Sequence, residues 1–341
     1  MRGTYEDVVV SSRVRLARNS AELPFPHKLS GSNADLLTSK IYTVMQNIKP
    51  KDSGVQDDFV LYRMKAISKA DGLVLKEKHL ISSDLLENVE YGAAIINESE
   101  TISVMVGEED HIREQCILPG LTLRQAYKRI DEIDDEIASA IKLAFDPDLG
   151  YLTSCLTNLG TGMRVSAMMF LPGLSITGAL ETTLNKFARL NMAVRGVYGE
   201  GSKADGFLYQ ISNQKTLGIS EEDILSSVQG CIMNIAEEEL EAREKILAGN
   251  ETELRDKIMR AYGTLCYAYR LTTKEFMEML AFVKLGVFYG FIKIEDVKQL
   301  EKLVTYGQPA NVASYAPDAK TREKRDIARA EYVSKVLKGL K

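Results

Sequence analysis

The chain has 341 residues, of which 45% are hydrophobic and 27% charged, with a net charge of −5. That is the composition of an ordinary globular protein with room for roughly two domains, and a pI near 5.5 argues against a general electrostatic grip on DNA or RNA. No run approaches the roughly 20 apolar residues that span a bilayer, and the N-terminus carries no apolar signal region, so a cytoplasmic protein with no membrane attachment is expected.

In chain order, β-type runs are predicted at residues 7–12, 92–97, 101–106, 167–171, 192–198 and 207–212, alternating with helical stretches. A helix is predicted over residues 121–144, ending before Asp146-Pro147, with Asp131, Glu132, Asp134, Asp135 and Glu136 on a solvated face. Ser220 followed by Asp223 resembles a capping box. From about residue 226 strand signals fade and helical periodicity takes over at 237–248, 251–269, 273–285 and 294–303. Gly307-Gln308-Pro309 breaks the pattern, and a basic helix is predicted over 321–341. The division is a sheet-bearing part at residues 1–225 and an all-helical part at 226–341. Cys116, Cys155, Cys231 and Cys266 stand far apart with no C-x-x-C pair, so neither a zinc site nor a disulfide framework is indicated.

Gly107-Glu108-Glu109-Asp110-His111-Ile112-Arg113 places three carboxylates, a histidine and an arginine at the end of a predicted strand. Alone, it reads more readily as a solvated turn than as a site. Arginines also stand beside small residues at strand ends and loops: Arg13 and Arg15 after Ser11-Ser12, Arg113, Arg164 after Gly160-Thr161-Gly162-Met163, and Arg195 before Gly196. Singly, each reads as an exposed side chain or a surface ion pair. Together, five guanidinium groups would repel one another without an anion between them, and a polyphosphate matches their forked donors.

These segments, in this order, resemble the ATP:guanido phosphotransferases. Ser11-Ser12-Arg13-Val14-Arg15 resembles the Ser/Thr-Arg-x-Arg strand of that family. Gly107–Arg113 resembles its Asn-Glu-Glu-Asp-His box, with Gly107 in place of the asparagine. Cys155-Leu156-Thr157-Asn158-Leu159-Gly160-Thr161-Gly162-Met163-Arg164 resembles the cysteine signature, and Arg195-Gly196 through Gly199-Glu200 the flexible loop before Tyr209-Gln210-Ile211-Ser212-Asn213. The resemblance covers about residues 5–225 and implies an α+β fold, an antiparallel-rich sheet flanked by helices, followed here by an all-helical C-terminal domain.

The chain reaches the Arg-x-Arg strand almost at once, without the helical domain that encloses small guanidines elsewhere in the family. Its helical C-terminal part carries Arg325-Asp326-Ile327-Ala328-Arg329-Ala330. Both features resemble the branch that phosphorylates arginine side chains within proteins. The resemblance implies that Glu109 and Glu200 grip the acceptor guanidinium, one acting as base, with Cys155 near the same nitrogen. It implies that Arg13, Arg15, Arg113, Arg164 and Arg195 hold the phosphates of ATP, that Mg2+ bridges them with Glu108 touching one of its waters, and that His79 lies against the adenine. Arg325, Asp326 and Arg329 would read phosphoarginine. Implied partners are proteins with exposed arginine, a Clp-type protease, a heat-shock repressor, a zinc-binding activator and a second copy of the chain. Two other readings stay open. One is a kinase for free arginine or another small guanidine. The other is a phosphoarginine-binding adaptor without catalysis, for which Gly107 in place of asparagine is the one mark.

Overall fold

The computed structural model describes residues 3–48, 57–197 and 204–340. The chain opens with β1 (Val9–Arg18) and α1 (Gly31–Asn47), then β2 (Phe59–Arg63), α2 (Lys69–Glu77), α3 (Ser83–Glu87), β3 (Ala93–Asn97), β4 (Ile102–Val106) and β5 (Ile112–Pro119). After α4 (Leu123–Ala140) come the short pair β6 (Phe145–Asp146) and β7 (Gly150–Tyr151), then β8 (Met163–Phe170), α5 (Pro172–Ile176), α6 (Leu180–Ala188), β9 (Met192–Gly196) and β10 (Leu208–Asn213). The rest is helical: α7 (Glu221–Gly249), α8 (Glu251–Tyr267), α9 (Thr273–Phe288), α10 (Val297–Tyr306), α11 (Pro309–Tyr315) and α12 (Arg322–Gly339).

The main sheet runs in the order β2-β3-β4-β5-β1-β8-β10-β9 and its neighbours pair antiparallel. Side chains alternate between faces along a strand, so each strand sends one set into a core and the other set away. Val14 and Leu16 of β1 join Val104, Ile112, Cys116, Val165 and Ile211 in the main core, beneath Ile41 of α1, Ile130 and Ile137 of α4 and Val228 and Ile232 of α7. On the other face, α2 and α3 cover the β2-to-β4 end through Leu75, Leu85, Ile96 and Met105. Among the described residues no apolar cluster covers the arginine-bearing stretch beside them. A third core joins Phe170 and Leu208 to α8, α9, α10 and α12. The expected α+β architecture is present.

Several helix starts are set locally. The side chains of Ser30, Ser68, Ser82, Ser220, Asn250, Thr272 and Thr321 each accept a hydrogen bond from the backbone N–H three residues on. Elsewhere tertiary packing moved the boundaries. The run expected at 7–12 continues as β1 to Arg18, since arginines on the open face interrupt the apolar pattern without breaking the strand. β5 was hidden by Arg113 and Gln115 on the open face and by Glu114 buried beneath the sheet, which together break its apolar pattern. The helix expected at 121–144 ends at Ala140, and its acidic run is not wholly solvated: Asp134 is buried against Arg18. Residue 225, where the composition changes, lies inside α7. Among the described residues no helix is long and apolar enough to cross a membrane.

Candidate active site

The pairing register, together with strand alternation, puts the arginines on one face. Arg15 lies opposite Gln115 of β5 and Arg164 of β8, Arg113 opposite Ala17, and Arg195 of β9 opposite Gln210 of β10. All five arginines line one cavity of about 270 Å3 with Asp84, Glu109, Cys155, Asn158 and Ser212. The convergence that one sequence could not reveal is therefore present.

The electrostatic cost of that convergence is visible in the groups themselves. Burial and the charges of Arg113 and Arg164 push Arg13 down to about 10. Arg15 is pushed well below its ordinary value by burial and then by Arg13, Arg113 and Arg164. Arg164 is lowered by burial, Arg195 and Arg113. Arg164 Nη2 donates to Ser212 Oγ at 2.9 Å, but the buried Nε atoms of Arg15 and Arg164 have no hydrogen-bond partner among the described residues. Buried donors of this kind call for an acceptor, and a multiply charged anion would supply it.

The acidic box divides its labour. Glu109 is exposed at the β4–β5 turn and faces the cavity. Glu108 is buried and paired with Arg113. Burial would raise its pKa, but the hydrogen bond and charge of Arg113 outweigh that and hold it below the ordinary carboxylate value. Asp110 is part of the scaffold: its Oδ1 accepts from Asn19 Nδ2 and from the Ser154 N–H, each at 2.7 Å, tying the cysteine loop to the end of β1. His111 Nδ1 accepts from the Ser20 N–H at 3.1 Å, so its Nε2 carries the proton and donates to Pro24 O at 2.9 Å. Gly107 has φ +76°, a left-handed conformation that glycine and asparagine both tolerate. The glycine at this position preserves the turn, and a Cβ there would lie 3.0 Å from Tyr91 Cδ2.

Cys155 sits in the loop between β7 and β8, half-buried, with Sγ 3.0 Å from Thr157 Oγ1. The loop is braced by Arg18, which was not among the expected residues. Arg18 Nη1 donates to Thr161 O at 3.0 Å, its Nη2 meets Asp134 Oδ2 at 2.7 Å, and its guanidinium stacks 3.6 Å from the centroid of the Tyr151 ring. A Cβ on Gly162, at φ +64°, would lie 2.6 Å from Ala17 O, so only glycine lets this loop approach β1 so closely. Nothing in the sequence flagged Arg18, Asp134 or Asp84.

His79 follows α2 rather than lying within it, with φ 62° and its carbonyl accepting from Gln115 Nε2 at 2.6 Å. Burial and the charge of Arg13 push it down to about 4, which leaves a neutral imidazole beside the arginines. Glu200 lies outside the described residues. The tail residues lie apart from the cavity. Arg329 is buried, with Nε donating to Gly307 O and Nη1 to Leu271 O and Asp326 Oδ1, all at 2.6 Å. Arg325 is half-exposed and donates to Lys320 O at 3.2 Å. The two tail arginines do not share an open face.

Comparison with known proteins agrees with this geometry. Residues 39–242 match the model of the ATP:guanido phosphotransferase C-terminal catalytic domain, and residues 251–341 that of the protein-arginine kinase McsB C-terminal domain. The protein-arginine kinase of Caldanaerobacter subterraneus subsp. tengcongensis is 42% identical over 332 residues, 97% of either chain. That of Geobacillus sp. (strain WCH70) is 40% identical over 337 residues, 98% of this chain and 92% of the relative. In fold, the chain is similar to the substrate-free duplicated taurocyamine kinase from Schistosoma mansoni, with a TM-score of 0.61 and 24% identity over 80% of this chain and 39% of that one. It is similar also to lombricine kinase, with a TM-score of 0.60 and 22% identity over 72% of this chain and 68% of that one. With a catalytic-domain match over more than half its length and full-length relatives near 40% identity, the chain belongs to the ATP:guanido phosphotransferase family of kinases.

Proposed function

We propose that the chain is a protein-arginine kinase that transfers the γ-phosphate of ATP to arginine side chains in proteins. The observation that carries the reading is the convergence of five arginines on one cavity that Glu109 and Cys155 also line. Near-full-length identity to proteins named protein-arginine kinase supports an arginine acceptor within a polypeptide.

The chemistry follows from the residue types. A guanidinium is cationic, its lone pairs are delocalised, and water hardly deprotonates it. Glu109 and Glu200 would clasp its N–H groups in the plane of the fork, fixing one nitrogen in line with the γ-phosphorus, and one carboxylate would take the proton as the N–P bond forms and the bond to ADP breaks. Cys155 would lie beside the same nitrogen. Arg13, Arg15, Arg113, Arg164 and Arg195 would offset charge on the phosphate oxygens, where positioning and electrostatics carry most of the catalysis.

Mg2+ bound to the phosphates would neutralise part of their charge. The donors present fit a hydrated ion: among the described residues Glu108 Oε2 is buried without a hydrogen-bond partner, and no group of three or more metal-ligating side chains forms a cage. His79 would face the adenine. Residues 1–225 would then carry the chemistry, and residues 226–341 substrate docking, phosphoarginine reading through Arg325, Asp326 and Arg329, and contacts in a homodimer. Marking proteins for a Clp-type protease, acting on a heat-shock repressor and answering to a zinc-binding activator rest on family resemblance alone.

The test is to incubate the protein with MgATP and either a folded arginine-rich protein or free arginine, then to look for acid-labile phosphate on arginine by mass spectrometry. Modified protein, with no signal from Glu109→Gln, is the expected result. Efficient turnover of free arginine alone would assign a small-guanidine kinase, and no transfer to either acceptor would favour the adaptor.

A further inference from the structure

Helix α11 begins at Pro309 without a cap from its own chain neighbourhood: Gln308, at the N-cap, makes no side-chain capping bond. The exposed donors at such an end need acceptors. Here they come from more than 230 residues away. The Glu77 carboxylate accepts from the Ala310 N–H at 2.8 Å through Oε1, and from the Asn311 N–H and Asn311 Nδ2 at 2.9 Å through Oε2. Asn311 is itself buried, and the neighbouring Gln308 donates to Val304 O at 2.9 Å and lies 3.4 Å from Met277 Sδ, so α11 is anchored firmly in the helical region.

Glu77 is the last residue of α2, and His79 follows two positions on. The direction of the cavity shows which part of a nucleotide would come toward this segment. Glu109 and the cysteine loop lie at the Ala17 end of β1, where Ala17 pairs with Arg113 and its N–H donates to Gly162 O. Arg13 stands four residues away along the strand, roughly 13 Å at the usual rise. A nucleotide with its transferable phosphate toward Glu109 would thus direct its nucleoside toward Arg13, and His79 is held near that part of β1, its carbonyl accepting at 2.6 Å from Nε2 of Gln115, which pairs with Arg15.

We propose that Glu77 is a positioning residue: it ties the helical C-terminal region to the segment that carries His79 and so sets the site's grip on the nucleoside end of the nucleotide. The inference rests on the reading of the cavity as an ATP site. It assigns the helical region a part in nucleotide binding that its sequence does not announce.

The test uses the full chain and calorimetric binding of MgATP and of magnesium tripolyphosphate, which has the phosphates but no base. In Glu77→Ala, ATP affinity is expected to fall roughly fivefold to tenfold, the scale of losing a helix cap, while tripolyphosphate affinity stays unchanged. Glu77→Ala added to His79→Ala should weaken ATP binding no further than His79→Ala does. Asn311→Ala, which removes one bond from the opposite side, should give a smaller loss of the same selectivity and serves if Glu77→Ala does not fold. Unchanged ATP affinity, equal weakening toward both ligands, or additive losses in the double variant would overturn the tie. Wild-type protein that binds neither ligand would remove the ATP reading itself, and this proposal with it.

Discussion

Arg15 of β1 and Arg164 of β8 stand directly opposite each other in an antiparallel pair, on the same face of the sheet, with both Nε atoms buried and unpartnered among the described residues. Like charges so placed destabilise a sheet. On the proposed reading the pair would receive the phosphates of ATP, a case of local strain kept for function. Arg164→Met is therefore expected to melt, without ligand, no lower than wild type, while its phosphoryl transfer falls by about 10³-fold or more. Thermal unfolding with and without tripolyphosphate checks this. A drop of several degrees in the ligand-free variant would mean that Arg164 supports the fold instead.

Beneath the sheet, Glu114 is fully buried near Asp134, and burial first, then the charge of Asp134, raises its pKa well above 4.5 although Arg18 opposes the shift. The folded protein thus holds this proton more tightly than the unfolded chain does. The stability it contributes is complete below about 4.5 and is lost as pH rises toward the folded value. Glu114→Gln keeps an uncharged group of the same shape and should flatten that decline in denaturant unfolding at pH 5.5 and 8.5. Asp134→Asn is expected to cost about 3–5 kcal/mol, since it leaves Arg18 buried without its counter-charge.

His79 works in the opposite pH direction to Glu114. Its folded pKa of about 4 lies below its ordinary 6.5, so the unfolded chain takes up a proton first as pH falls. Stability is lost between about 6.5 and 4 and restored above that window. His79→Gln should reduce the slope there by up to about 1.4 kcal/mol per pH unit, read from chemical denaturation across the window. An unchanged slope would show that the ring does not stay neutral.

In the tail, Arg329 joins Gly307, Leu271 and Asp326, whereas Arg325 is half-exposed and donates to Lys320 O. Arg329→Ala should lower stability by about 3–5 kcal/mol by stranding a buried carboxylate and two carbonyls, while Arg325→Ala should stay within about 0.5 kcal/mol. Equilibrium unfolding distinguishes them. Arg325→Ala is then the cleaner variant for any measurement of phosphoarginine binding.

The parts of the site that could be read in advance are those carried by local pattern. Arg13 and Arg15 alternate with Val14 and Leu16, so a strand of period two must put both arginines on the face away from the core. Ser220 and Asp223 mark a helix start for an equally local reason. What escaped notice depends on distant partners. Asp134 looked like one more acid on a solvated helix until Arg18, 116 residues earlier, met it beneath the sheet. Asp84 had no signal at all, because its place at the cavity rim depends on how α3 sits over β4.

The order of residues along the chain by itself determined the alternation of charged and apolar positions, the helix starts and the motif spacing, since these depend on neighbours a few bonds away. Which arginines share a cavity, which acid faces it and which is buried as scaffold, and how Glu77 reaches α11 were decided only by the tertiary structure. Coulomb forces, burial and hydrogen bonds act through space, and groups far apart in sequence acquire their chemistry only when folding brings them within a few ångströms of one another.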